Sequence, residues 1–338
     1  RVIHFGLIPR SHRGIFVINE LPDLQARIQV ALFNILQEGD IQIRGFKLRL
    51  PLDIQFIFTA NPEDYTNRGS IVTPLKDRIG SQIITHYPKT LAMGQKITEQ
   101  EAHIKPEQSE VVVVNDLIKT LIEQIAFEAR ESEYVDSKSG VSARLTISAY
   151  ENLMSTAERR ALINDESSTY IRISDLYGVV SAICGKVELV YEGEVEGPAI
   201  VAQNLVGKAI RRQFLNYFPD PEKAKKSKIN PYSGIIEWFS TGNTMEISAD
   251  LSNREYTARL NTIENLDDLV EMLSLFSNES EKLFLMEFAL HGMAEFSLIG
   301  KQALDQGTKF EDLVNSMFSA PDDDFDFDTD EDEDQKGF

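Results

Sequence analysis

Two short apolar runs constrain this chain more than anything else in it. Gly14-Ile15-Phe16-Val17-Ile18 runs into the polar pair Asn19-Glu20, and Ile54-Gln55-Phe56-Ile57-Phe58-Thr59-Ala60 runs into Asn61-Pro62. The second run is near-continuous in apolar character, the mark of a parallel strand buried on both faces. Between them, Leu24, Ile28, Leu32 and Leu36 recur every four residues, which predicts a helix over 23–38. Asp23 is its expected N-cap and Gly39 its expected stop. Ile41 and Ile43, then Phe46, Leu48 and Leu50, alternate on either side of Arg44-Gly45, predicting a hairpin over 40–50. Residues 82–85, Gln-Ile-Ile-Thr, predict a further short strand closed by Tyr87-Pro88. Strand, helix and strand in this order make an α/β region with a parallel sheet.

Ligands of such sheets sit at the carboxyl ends of the strands, where Glu20 and Asn61 fall. A nucleotide hydrolase needs a carboxylate to polarise the attacking water and a polar group on the adjacent strand to position it. It also needs positive charge where the γ-phosphate develops negative charge. Glu20 is the candidate base and Asn61 the candidate positioning amide, with Pro62 fixing the turn after it. Arg78, in Leu75-Lys76-Asp77-Arg78-Ile79-Gly80, is the candidate arginine finger, because guanidinium stays charged and forks onto phosphate oxygens. Arg144, at a helix start after the break Ser139-Gly140-Val141-Ser142-Ala143, is the candidate lid arginine. Arg10 and Arg13 are candidates for a subunit boundary. Each has a plainer reading: Glu20 a surface acid, Asn61-Pro62 a turn, Arg78 an ion pair with Asp77 or Glu63, Arg144 a surface arginine. The phosphate-cradling pattern G-x-x-x-x-G-K-[ST] is absent from the chain. Gly185-Lys186 comes nearest, but Val187 follows it. The expectation is that the half of the engine carrying that loop lies upstream of Arg1.

The rest of the chain reads as helical. Helices are predicted over 109–133, 146–163, 174–190 and 194–216, then a charged linker over 219–228. Short helices are expected over 231–318, the longest spanning 279–304. The resulting division is an α/β core half at 1–90, a helical lid at 91–217, a helical region at 218–318 and an acidic tail at 319–338. The net charge is −20, and residues 322–334 carry ten acids with Phe325 and Phe327 among them. That tail reads as a solvated segment or as a docking strip for a basic partner. Such acidity argues against nucleic acid as a nonspecific partner. No apolar run of about 18 residues exists, so no membrane span is expected. The single Cys184 sits in an apolar stretch, excludes a disulfide framework and fits a reducing cytoplasm. The five histidines show no metal-ligand spacing.

With these residues assembled, 13–90 resembles AAA+ ATPases of the clade that holds the magnesium chelatase ATPase subunit and the MoxR proteins. Arg13 to Glu20 looks like that clade's Walker B strand and Thr59 to Glu63 like its sensor 1. Leu75 to Gly80 is similar to its arginine-finger segment, and Gly140-Val141-Ser142-Ala143-Arg144 to its lid motif carrying sensor 2. The hairpin sits where these proteins insert one. A second resemblance is to sigma-54-dependent transcription activators, through Glu20-Leu21-Pro22, Leu36-Gln37-Glu38-Gly39 and Arg44-Gly45. The resemblance implies a P-loop NTPase fold with ATP and Mg²⁺ as cofactors. It further implies a homo-oligomeric ring, a hexamer by analogy, that remodels a partner protein. One departure stands out: Asn19 occupies the usual Walker B aspartate position. It keeps an oxygen for a Mg²⁺-bound water but loses the charge. A degenerate, non-hydrolysing scaffold is therefore a third expectation beside partner remodelling and transcription activation.

Overall fold

The computed structural model describes residues 4–43, 48–61, 71–226, 230–273, 276–304 and 307–318. Arg44-Gly45, Pro62, Glu63, Ser227-Lys228 and the acidic run 322–334 lie outside them. The chain divides into two compact units, Arg1–His86 and Tyr87–Phe338.

In the first unit a one-turn helix α1 (Leu7–Arg10) leads into β1 (Gly14–Ile18). Next come α2 (Ala26–Glu38), β2 (Asp40–Gln42), β3 (Arg49–Pro51), β4 (Ile54–Phe58) and α3 (Thr73–Lys76). β1 and β4 pair in parallel, from Gly14 with Ile54 to Ile18 with Phe58. β2 and β3 pair antiparallel, so the expected hairpin stem is present. Leu21, Leu32, Ile35 and Leu75 form the buried centre, with Ile18, Phe56 and Phe58 packed against it. Gly39 ends α2 in the left-handed region at φ 64°, its N–H donating to the Ile35 carbonyl at 3.1 Å. A side chain there would strain the backbone, so glycine suits the position.

Three expectations fail here. Asp23 does not cap α2: it ends a 3₁₀ turn, Leu21–Asp23, entered through Pro22, and the chain is extended again at Leu24 before Gln25 opens the helix. The sheet is not buried on both faces. Phe16, Ile18, Phe56 and Phe58 point inward, whereas Ile15, Val17 and Ile57 are 66, 52 and 45% exposed. Residues 82–85 form no strand, and Ile83 and Ile84 are 91 and 79% exposed. Strand preference is a fit to a pleated, half-buried surface, and no neighbouring strand among the described residues offers one.

The second unit begins with α4 (Leu91–Glu101), α5 (Pro106–Val111), β5 (Val112–Val113), α6 (Asp116–Glu131) and α7 (Arg144–Ile163). It continues through β6 (Thr169–Tyr170), α8 (Val180–Cys184), α9 (Tyr191–Glu196), α10 (Pro198–Tyr217), α11 (Pro221–Ala224) and α12 (Ser233–Ser240). β7 (Met245–Ser248), α13 (Asn253–Leu260), α14 (Leu266–Glu271), α15 (Glu279–Glu295), β8 (Gly300–Leu304), β9 (Gly307–Glu311) and α16 (Leu313–Phe318) complete it. One hydrophobic core runs from Val112 to Phe310, with residues on both sides of 217/218 contributing. α10 packs on both α6 and α15. At Gly292 of α15 a Cβ would lie 2.0 Å from Cδ2 of Phe214, so only glycine admits this approach.

The helical reading of this half needs several corrections. The helix expected at 109–133 splits, because Asn115 caps a new helix by accepting from the Ile118 N–H. Residues 173–179 are 3₁₀ before α8 begins. The expected linker 219–228 holds α11, with Pro221 and Ala224 buried. The helix expected to reach 304 stops at Glu295. A three-stranded antiparallel sheet, ordered β7-β9-β8, occupies residues expected to be helical. Cys184 is partly buried and packs against the core. Among the described residues, no helix is long and apolar enough to cross a membrane.

Candidate functional site

The parallel register brings the carboxyl ends of β1 and β4 level, and Thr59 ties them together. The Thr59 N–H donates to the Ile18 carbonyl at 3.0 Å, and the Leu21 N–H donates to the Thr59 carbonyl at 2.9 Å. The Thr59 hydroxyl accepts from the Glu20 N–H at 3.0 Å and donates to Asn19 Oδ1 at 3.2 Å. Glu20 itself is left-handed, at φ 50° and ψ 58°. That conformation is uncommon for a residue with a Cβ and clusters at functional sites. It ends the strand abruptly and leaves the Glu20 carboxylate exposed, with no hydrogen bond or ion pair among the described residues. Asn61 lies exposed two residues beyond Thr59, at the same end of the sheet. Asn19, Glu20 and Asn61 thus share one sheet end. Sequence reading missed Thr59, since a threonine closing an apolar run is unremarkable by type.

Arg78 is held inside its own unit. Its Nε and Nη2 donate to Gln37 Oε1 at 3.2 and 2.6 Å, its Nη1 donates to the Pro74 carbonyl at 2.7 Å, and it lies over the Phe33 ring at 5.4 Å. The guanidinium therefore links the end of α3 to α2. Arg10 closes α1 and is exposed. Arg13 is exposed and left-handed at φ 60°, its N–H donating to the Asp53 carbonyl at 2.6 Å. Arg144 belongs to the second unit, where it is the exposed first residue of α7. Gly185-Lys186 follows α8, opposite to the loop-then-helix order that cradles phosphate.

No cluster of three or more His, Cys, Asp or Glu side chains able to hold a metal exists among the described residues. At the sheet end, Asn19 offers one amide oxygen, already accepting from Thr59, and Glu20 offers a carboxylate with no partner among the described residues. This pair fits an outer-sphere role, accepting from metal-bound water, and does not form a metal site by itself.

The second unit holds a buried polar network that sequence reading missed. The Glu287 carboxylate, in the middle of α15, accepts from the Ile173 and Ser174 N–H groups at 2.8 and 2.9 Å and from the Tyr256 hydroxyl at 2.7 Å. Burial nevertheless pushes its pKa up. Arg160 pairs with Asp175, whose pKa burial also raises, and donates to the Tyr170 carbonyl at 2.7 Å. Arg172 donates to the Leu251 carbonyl and to Asn253 Oδ1, both at 2.8 Å. These bonds stitch 160–175 to 250–256 and 287. The one available signal was a lone acid and a lone histidine, Glu287 and His291, inside an apolar helical run.

Comparison with known proteins adds the following. Residues 2–81 match the family model of the sigma-54 interaction domain. No curated protein matches the chain. One solved structure, from Cytophaga hutchinsonii ATCC 33406 and assigned provisionally as an ATPase, aligns at 18% identity and a TM-score of 0.24. The alignment covers 57% of this chain and 64% of that one. The chain thus spans less than two thirds of that protein's length. By sequence, residues 2–81 are similar to the sigma-54 interaction domain, an ATPase domain of the AAA+ type.

Proposed function

We propose that the first unit works as part of an ATP-hydrolysing AAA+ engine that remodels a partner protein from within a ring of like subunits. The observation that carries this reading is the shared sheet end: parallel pairing sets Asn19-Glu20 beside Thr59 and Asn61, with the Glu20 carboxylate unpartnered among the described residues. ATP and Mg²⁺ supply the scissile phosphate and the charge that offsets it. The chain's own residues have narrower tasks. Glu20 accepts a proton from the attacking water, Asn61 orients that water, and Asn19 accepts from metal-bound water. Thr59 holds Asn19 and Glu20 in place. Arg144 is proposed to sense phosphate from the second unit. Arg78 is proposed to reach a neighbouring protomer, with Arg10 and Arg13 at the same boundary. For that, its guanidinium must leave Gln37 and Pro74.

The test is single-turnover ATP hydrolysis in a ring assembly that contains this chain together with a phosphate loop. Turnover that falls 10²–10⁴-fold in Glu20→Gln, with nucleotide binding retained, supports the assignment. Nucleotide binding with no turnover in the wild type assigns the chain to the scaffold class that Asn19 suggests. Turnover unchanged in Glu20→Gln refutes the role of Glu20.

A second reading is favoured by the family match over residues 2–81: the remodelled partner is a sigma-54-type transcription factor. ATP-dependent conversion of a sigma-54 promoter complex from closed to open, followed by permanganate footprinting, separates the two. An open promoter supports the second reading, and a closed one leaves the broader remodelling role.

A further inference from the structure

The second unit opens at Tyr87, and this first side chain is bonded to a loop far along the chain. The Tyr87 hydroxyl accepts from the Val141 N–H at 3.0 Å. Arg130, near the end of α6, donates through Nε to the Val141 carbonyl at 3.2 Å. Its guanidinium lies over the Tyr87 ring, 4.3 Å from the centre, and over the Phe127 ring at 5.4 Å. Val141 is 1% exposed and lies outside any helix or strand, so neither water nor a regular ladder serves its backbone. Buried N–H and C=O groups need partners. Here the two partners are side chains from distant parts of the sequence that also hold each other, since a cation is attracted to an aromatic face.

Three residues later stands Arg144. Gly140 enters the loop in the left-handed region at φ 70°. Ser142 Oγ accepts from the Arg144 N–H at 3.3 Å, and the Leu145 N–H donates to the Ser142 carbonyl at 3.1 Å. The Arg144 side chain makes no hydrogen bond or ion pair among the described residues. Its direction therefore follows from the backbone at the start of α7, which sets where the Cα–Cβ bond points. We infer that Tyr87 and Arg130 are positioning residues for Arg144: by holding both backbone groups of Val141 they fix where α7 begins and how Arg144 is presented. The functional consequence rests on the reading of Arg144 as the phosphate-sensing arginine. Under that reading, Tyr87 and Arg130 govern how well the site tells ATP from ADP without touching either nucleotide.

The test has two arms. In the first, amide hydrogen exchange of the full 338-residue chain is read at Val141, Arg144 and Leu145. Tyr87→Phe keeps the ring beneath Arg130 and removes only the acceptor. It should speed exchange at Val141 on the order of tenfold, and at Arg144 and Leu145 in the same direction, with α10 unchanged. Arg130→Met, which removes the carbonyl's donor, should act at the same three amides. Unchanged exchange there, or equal acceleration in α10, overturns the inference. In the second arm, ATP and ADP affinities are compared in a ring assembly that contains this chain together with a phosphate loop. Arg144→Ala should lower the preference for ATP on the order of tenfold, and Tyr87→Phe about threefold. Adding Tyr87→Phe to Arg144→Ala should change it no further, because the tyrosine acts through the arginine. A full additional loss in the double variant, or an unchanged preference in Tyr87→Phe while Arg144→Ala loses it, overturns the inference. An Arg144→Ala variant that keeps the preference refutes phosphate sensing by Arg144 alone, and the exchange arm then decides the positioning.

Discussion

Thr59 sets what substitutions at the strand ends should do. Its hydroxyl serves both Asn19 and the Glu20 N–H, so Thr59→Val removes two hydrogen bonds at nearly constant shape. The expected loss is about 1–2 kcal/mol, read from urea denaturation followed in the first unit. Glu20→Gln, at an exposed side chain, should change stability by no more than about 0.5 kcal/mol while stopping turnover. His291 gives a pH signature. Its folded pKa lies below the ordinary 6.5 because the ring is desolvated. Between those two values the unfolded chain binds a proton that the folded chain refuses, so stability is full above pH 6.5 and falls as pH drops. The slope is up to about 1.4 kcal/mol per pH unit. Melting at pH 7.5 and 5.5 should show a larger drop for the wild type than for His291→Phe; equal drops would disprove the assignment. Glu20 and Asn61 were legible because a polar residue closing an apolar run is a visible break. Glu287 and His291 were not: the periodic face Leu283, Met286, Leu290 and Met293 drew the eye, while the residues from Leu283 to Met293 are all buried, so no face was left for polarity to mark.

Among the elements, the link between α2 and α3 bears on how Arg78 acts. If Arg78 works across a subunit boundary, mixing assemblies of Arg78→Ala and Glu20→Gln restores part of the activity, because an intact Glu20 meets an intact arginine from its neighbour. Gln37→Ala, which frees the guanidinium from its two bonds, should then leave turnover intact. If instead Arg78 only fastens α3 to α2, Arg78→Ala and Gln37→Ala lower the melting temperature together and mixing restores nothing. The limits of legibility at this scale are physical. α2 and the β2–β3 stem were readable from periodicity and from Gly39. β8 and β9 were not, because Lys301, Gln302, Ala303 and Lys309 carry little strand preference, and their pairing with β7 is won by tertiary contact. Conversely, Ile83-Ile84 has the preference and lacks the neighbour.

For the whole molecule, the division at His86/Tyr87 predicts its proteolytic behaviour. Residues 80–86 are exposed and outside any helix or strand, and such segments are where proteases cut first. Brief trypsin or chymotrypsin treatment should release a resistant fragment beginning near Tyr87, identified by mass spectrometry; early cleavage within α6, α10 or α15 would contradict the single core described for that unit. The parallel pair β1–β4 has a different consequence. Its outer side presents Ile15, Val17 and Ile57 to water, although parallel sheets are ordinarily covered on both faces. A chain that leaves such an aliphatic patch in water adsorbs at apolar boundaries. Dilute solutions of it should lower surface tension and form films at an air–water boundary, and foaming or loss to vessel walls during purification would be the first sign of that uncovered sheet.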